Sequence, residues 1–121
     1  MELIGTVDRV QDELQFVEKY AARLRARRKH GTLRAGRRIP SSAVLPVRIT
    51  ETNEELGRVV IEEVRWLKLK EINTPEVLRY EYPDNPKDLL KDLHVLYPQL
   101  TDNSWVTFFR FRFEDEEPRE E

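Results

Sequence analysis

Apolar residues recur along this chain with two different periods. Val7, Val10, Leu14, Val17, Ala21 and Leu24 are separated by alternating steps of three and four. That spacing draws one apolar stripe along an otherwise charged helix. Thr6 can cap it, while Asp8, Asp12 and Glu13 sit early and Arg23, Arg25, Arg27, Arg28 and Lys29 sit late. Both placements complement the helix dipole. The pattern predicts a helix over about 7–29, with Gly31 as a left-handed stop.

Beyond Gly31 the period falls towards two. Thr32 to Ile39 reads as a basic, glycine-broken extended segment, and Pro40-Ser41-Ser42 as a turn. Leu45, Val47 and Ile49 then alternate with Pro46, Arg48 and Thr50, predicting a half-buried strand with Pro46 near its start or on an edge. In the stretch 57–72, Val59 and Ile61 point one way, Val64 and Trp66 the other, and Leu67 and Leu69 return. A flat strand cannot switch its apolar side twice, so a bulge or bend is expected, or else two short strands with a turn near Glu62-Glu63. Asn73-Thr74-Pro75-Glu76 and Asn85-Pro86-Lys87-Asp88 are helix-start signals. The second would lead a helix with Leu89, Leu90, Leu93, Leu96 and Tyr97 on one side, ended by Pro98. Between them lies Arg79-Tyr80-Glu81-Tyr82-Pro83, an acid among aromatics in a loop. Trp105, Thr107, Phe109, Phe111 and Phe113 share one face of a last strand, and Val106, Phe108, Arg110 and Arg112 the other. No repeat or linker interrupts this order. The chain reads as one domain over 1–113, followed by an acidic tail over 114–121 that is expected to be disordered.

Composition narrows the chemistry. With 121 residues there is enough chain for a core without staples, and the absence of cysteine excludes a disulfide framework, a zinc ribbon and thiol catalysis. Two histidines, His30 and His94, cannot by themselves build a histidine-rich metal site, and no metal or other cofactor is expected. No apolar run approaches the roughly 20 residues of a membrane span, and the N-terminus lacks signal-peptide character. The expectation is a cytoplasmic protein without a membrane partner; the oligomeric state stays open.

Charge is divided along the chain. Residues 1–50 carry eleven basic and five acidic side chains, and residues 51–121 carry ten and eighteen, which sums to the net charge of −2. The positive charge concentrates between Arg23 and Arg38, a stretch with eight arginines and lysines and no acid. One sign of charge gathered where a helix gives way to a glycine-punctuated turn points to a phosphate-facing surface. The candidate contacts are Arg27, Arg28, Lys29, Arg34, Arg37 and Arg38, with Tyr80 and Tyr82 able to stack a base. The competing interpretation is a solvated basic face that merely complements a helix end. Trp66 and His94 read as packing residues, and His30 as a possible addition to the anion site at low pH.

Lys29-x-x-Thr32-x-Arg34 after a first helix, the β run over 57–72, a helix ending Leu96-Tyr97-Pro98 and a final Val106-Thr107-Phe108-Phe109-Arg110-Phe111 strand follow one another in a recognisable order. In that order and spacing the chain resembles the ASCH domain family of PUA-like small barrels, over roughly Ala21 to Phe113. The resemblance implies an α+β fold, a small, mostly antiparallel PUA-like β-barrel with two or three covering helices. It also implies a cleft lined by the Lys-x-x-Thr-x-Arg segment and binding of RNA or a modified nucleoside.

One branch of that family is similar to small amidohydrolases that deacetylate N4-acetylcytidine without a metal. Carried to matching positions, its residues would be Lys29 as base, Thr32 as nucleophile and Glu81 as supporting acid. That branch reads Lys-Thr-x-Thr-x-Arg, whereas His30 and Gly31 stand between Lys29 and Thr32 here. A threonine needs a neighbouring base, and lysine can serve if burial and adjacent arginines lower its pKa. Otherwise Thr32 is a strand residue, Lys29 a phosphate contact and Glu81 a salt partner. Three functions therefore stand: RNA or nucleoside binding, amidohydrolysis of an acylated cytidine, and RNA cleavage in the same cleft.

Overall fold

Seven strands and one short helix organise the part of the chain that the computed structural model describes, residues 6–72, 95 and 97–117. The helices expected from Asn73 and Asn85 lie outside those residues, and with them Tyr80, Glu81, Tyr82 and His94.

The N-terminal segment departs from its apolar stripe. Instead of a helix over about 7–29 the chain forms β1 (Arg9–Gln11), β2 (Leu14–Phe16), a 3-10 turn at Glu18–Tyr20 and a single short helix α1 (Ala21–Arg25). The reason lies in Phe16. On a helix it would sit about 200° from Leu14, on the polar side, whereas on a strand the two share a face. Burying both large side chains outweighs the stripe, and Val7 and Val10 are left 37% and 50% exposed. The chain reverses at Arg27, which takes φ 56°, not at Gly31, which opens the next strand.

That strand is β3 (Gly31–Ala35), followed by β4 (Arg38–Pro40), β5 (Val44–Ile49), β6 (Glu55–Lys68) and β7 (Trp105–Phe113). The main sheet has the order β2-β5-β6-β7-β3, antiparallel except for the β2–β5 pair. Its register with β2 begins at Val47, so Pro46 lies just beyond that ladder, where its missing N–H costs nothing. Along β6 the pairing with β7 steps from Ile61–Phe111 to Glu63–Arg110. Glu62 is thus the extra residue of a bulge, and of the two arrangements open from the sequence this is the one adopted. The bulge lets Val59, Ile61 and Val64 all pack against one core.

The sheet curls into a half-barrel. Its concave face is filled by Leu14, Phe16, Leu45, Val47, Ile49, Val59, Phe109, Phe111 and Phe113, with Tyr20, Ala21 and Leu24 of the helical segment over one end. A second core on the outer face holds Leu33, Val106 and Phe108 under Leu69, Ile72 and Leu100. The two faces of β7 therefore divide as their alternation predicts. The edges of the sheet are β2 and β3. The strands continuous with them, β1 and β4, pair in parallel as a two-stranded ribbon, with Arg9 opposite Arg38, and so tie the edges together at one end. No helix among the described residues is long and apolar enough to cross a membrane.

Candidate functional site

Strand β3 sets the site. Thr32, Leu33 and Arg34 lie opposite Phe109, Phe108 and Thr107, so alternation sends Thr32 and Arg34 to the concave side and Leu33 into the outer core. Thr32 is buried, and its Oγ1 accepts a hydrogen bond of 3.2 Å from Arg34 Nε. Lys29, just before the strand, is fully buried, with Nζ 4.7 Å from the Tyr20 ring centre and 5.8 Å from that of Phe16. The Arg34 guanidinium carbon stands 4.7 Å from the same Phe16 centre. Lys29 and Arg34 thereby share the Phe16 ring on the concave side of the half-barrel, and Thr32 is tied to Arg34 by its hydrogen bond. Cations over desolvated rings gain roughly 2 kcal/mol, which helps hold both side chains there.

Arg34 also lines a cavity of about 440 Å³ beside the β1–β4 ribbon, shared with Arg9, Gln11, Asp12, Gln15, Arg38 and Tyr97. Small-molecule sites commonly span roughly 300–1,000 Å³. Arg38 is the best-anchored wall residue. Its backbone N–H donates to Thr107 Oγ1 at 2.8 Å, its carbonyl accepts from Trp66 Nε1 at 2.9 Å, and its side chain donates to Ala35 O at 2.6 Å and Gln11 Oε1 at 2.8 Å. Burial holds its pKa below the ordinary arginine value; the Tyr97 hydroxyl, which accepts a hydrogen bond from it, opposes that shift, and the nearby Arg9 charge adds to it. Thr107 Oγ1 in turn donates to Gly36 O at 2.7 Å, fixing the turn from β3 to β4, where Gly36 adopts φ 83°.

Other residues expected to contact nucleic acid have different partners. Arg27 lies 3.8 Å over the Phe113 ring, donates to Leu24 O and Leu56 O, and forms a two-point ion pair with Asp115 at 2.7 and 3.1 Å. Arg37 pairs with Asp8 at 3.2 Å. His30 sits 3.0 Å from Glu116, so it faces a carboxylate and not an open anion site. Arg28 is exposed on the turn. None of these four lines the cavity. The acids that meet the basic stretch come from both directions, and Arg25 pairs likewise with Glu54 at 2.8 Å. The start of the acidic tail, expected to be disordered, is instead fastened at Asp115 and Glu116, with Phe113 N donating to Glu116 Oε1 at 2.9 Å.

These surface pairs have a pH signature. Arg37 holds the Asp8 carboxyl below its ordinary value by hydrogen bonding, Arg27 does the same to Asp115, and Gln15 and Arg48 do so to Glu13. Each group is ionised in the fold at pH values where the unfolded chain is already taking up protons. Their contribution is therefore complete above the unfolded carboxylate range and is lost as pH falls through the lowered native values. The urea midpoint is expected to drop between pH 5 and pH 3, and Asp8→Asn to make that drop shallower. An equal drop in the variant would remove Asp8 from the account.

The chain matches no protein-family model, no curated protein and no solved structure. The site rests on its own geometry. Within it, Arg9, Gln11, Gln15, Tyr97 and the support from Thr107 and Trp66 escaped the sequence reading. The alternation Arg9-Val10-Gln11 was the available signal, masked by the helical spacing of the valines. Among the described residues no cluster of three or more histidines or acids could hold a metal ion.

Proposed function

We propose that this protein binds a nucleoside or nucleotide unit, free or within RNA, in the cavity beside the β1–β4 ribbon, as a small barrel of the PUA-like, ASCH type. The observation that carries this reading is the convergence of Lys29, Thr32 and Arg34 on the concave side of the sheet, with Arg34 also lining a nucleotide-sized cavity. Guanidinium and amide groups can meet the hydrogen-bonding edge of a base, a ribose or a phosphate, and Tyr97 offers an amphipathic edge. The pairing of Arg25, Arg27 and Arg37 with acids favours recognition of one unit in a cavity over a broad cationic surface.

Amidohydrolysis of N4-acetylcytidine is the second reading, favoured by the Arg34–Thr32 hydrogen bond. A guanidinium donating to a threonine oxygen stabilises negative charge on it, as a nucleophile attacking an acetyl carbonyl requires. The acetyl group would pass to Thr32, cytidine would leave with a proton, and water would release acetate. Titration of the protein with cytidine, its 5′-monophosphate, N4-acetylcytidine and a short single-stranded RNA, followed by amide NMR shifts, tests both. Shifts centred on β1, β3 and β4 are expected, weakened tenfold or more by Arg34→Ala and untouched by Arg25→Ala. Absence of any shift at millimolar ligand would overturn the binding reading. Absence of acetate from the acetylated sample would overturn the catalytic one.

A further inference from the structure

Arg9 and Arg38 occupy paired positions on adjacent parallel strands, so their side chains leave the ribbon on the same face. Like charges directly opposite each other across a ladder destabilise it. Nothing in strand pairing demands this arrangement, since three-residue strands tolerate most residues. Among the described residues neither arginine is ion-paired with an acid. Arg38 is only 8% exposed, yet its described partners are a backbone carbonyl, the Gln11 amide oxygen and the Tyr97 hydroxyl, all uncharged. Two acids share the cavity but are placed elsewhere. Glu13 is taken by Arg48 at 3.2 Å, and Asp12 is exposed at the rim. The lining therefore holds three arginines, Arg9, Arg34 and Arg38, together with the carboxylates of Asp12 and Glu13.

Resting on the nucleotide reading above, the geometry points to a phosphate-bearing ligand, a nucleoside monophosphate unit whose phosphate sits between Arg9 and Arg38. Arginine's planar fork suits a phosphate bidentately, and the anion would relieve the repulsion that the ribbon otherwise stores. The exposed Asp12 and the Arg48-paired Glu13 are the acidic groups of the same lining. Asp12 is placed to accept hydrogen bonds from ribose hydroxyls or a base amino group, and both acids repel a misplaced phosphate.

Calorimetric titration of the full chain with cytidine, cytidine 5′-monophosphate and inorganic phosphate tests this, using the native protein and Arg9→Gln. Arg9 is exposed, so the substitution is expected to leave the circular dichroism spectrum unchanged. The monophosphate is expected to bind at least tenfold more tightly than cytidine, with that ratio collapsing towards one in Arg9→Gln and largely restored in Arg9→Lys. Equal affinity for cytidine and its monophosphate overturns the phosphate site and leaves the nucleoside reading standing. Binding of inorganic phosphate alone, lost in Arg9→Gln, supports the phosphate site and overturns the nucleoside reading. No binding of any of the three overturns both. A 5′-phosphorylated trinucleotide compared with its 5′-hydroxyl form tells an RNA terminus from a free mononucleotide as the source of the phosphate.

Discussion

Phe111→Ala is expected to destabilise the protein by about 3–5 kcal/mol. The ring is fully buried on the concave face, with its centroid 6.3 Å from that of Phe16 and 6.2 Å, edge-on, from that of Phe113. It stands opposite Ile61, one step before the β6 bulge, so the cavity left behind would open where the sheet bends and where neighbours are fixed by two ladders. A small domain has only about 5–15 kcal/mol in hand, so a loss of this size removes a third or more of it. Phe111→Leu keeps most of the volume and is expected to cost about 1 kcal/mol. Urea unfolding at constant m-value measures both. The informative control is Val7→Ser, expected within about 0.5 kcal/mol because Val7 is 37% exposed. If Val7→Ser cost as much as Phe111→Ala, the N-terminal stripe would be core after all.

That control marks where the sequence was legible and where it was not. The alternation of β5 and β7 is a local pattern that fixes which face is buried. It was readable because period-two burial in antiparallel strands leaves little freedom. The double switch of apolar side along β6 left two solutions, a bulge or two short strands, of which the fold takes the bulge. The N-terminal segment carries two periods at once. Val7, Val10, Leu14, Val17, Ala21 and Leu24 satisfy a helix, while Leu14 and Phe16 satisfy a strand. What decides between them is that β2 can add to the β5 edge, a contact more than thirty residues away that no local spacing reveals. The site follows the same division. The closeness of Thr32 and Arg34 was legible because they lie two apart on one strand, whereas the burial of Lys29, which precedes that strand, was not set by the same spacing. Arg9 and Arg38 were not legible as a pair, because only the ribbon formed by the two sheet edges brings them together.

Charge taught the opposite lesson about composition. Eight cations in sixteen residues read as one surface, but the fold distributes them. Arg25, Arg27 and Arg37 are matched by Glu54, Asp115 and Asp8 from distant parts of the chain, and they act as fasteners. Lys29, Arg34 and Arg38 turn inward, where lower dielectric makes each charge count for more in recognition. Surface pairs of the first kind contribute little apiece to stability, and under the function proposed above recognition falls to the inward-facing Arg34 and Arg38, which line the cavity.

Thr107 couples stability to that inward-facing group, and Thr107→Val is expected to cost about 2–4 kcal/mol while weakening ligand binding. The substitution preserves shape and removes one oxygen. That oxygen accepts from the buried Arg38 N–H and donates to Gly36 O, so the change strands a donor and an acceptor in the interior. Each such group left unsatisfied costs about 1–3 kcal/mol. No water replaces it easily, because Thr107 is fully buried on β7. The two lost bonds are those that hold the turn between β3, where Thr32 and Arg34 project, and β4, where Arg38 projects. Loosening them lets Arg38 drift relative to Arg34 and parts the β1–β4 ribbon from the main sheet. Thr107→Ser keeps both hydrogen bonds and gives up one methyl group, for about 1 kcal/mol. The pair of variants separates the roles of the side chain. Urea midpoints should rank native, serine, valine, and nucleotide affinity should be kept in serine and reduced tenfold or more in valine. Equal loss of affinity in both variants would assign the effect to packing of the methyl group, and Thr107 would no longer be a positioning residue for Arg38.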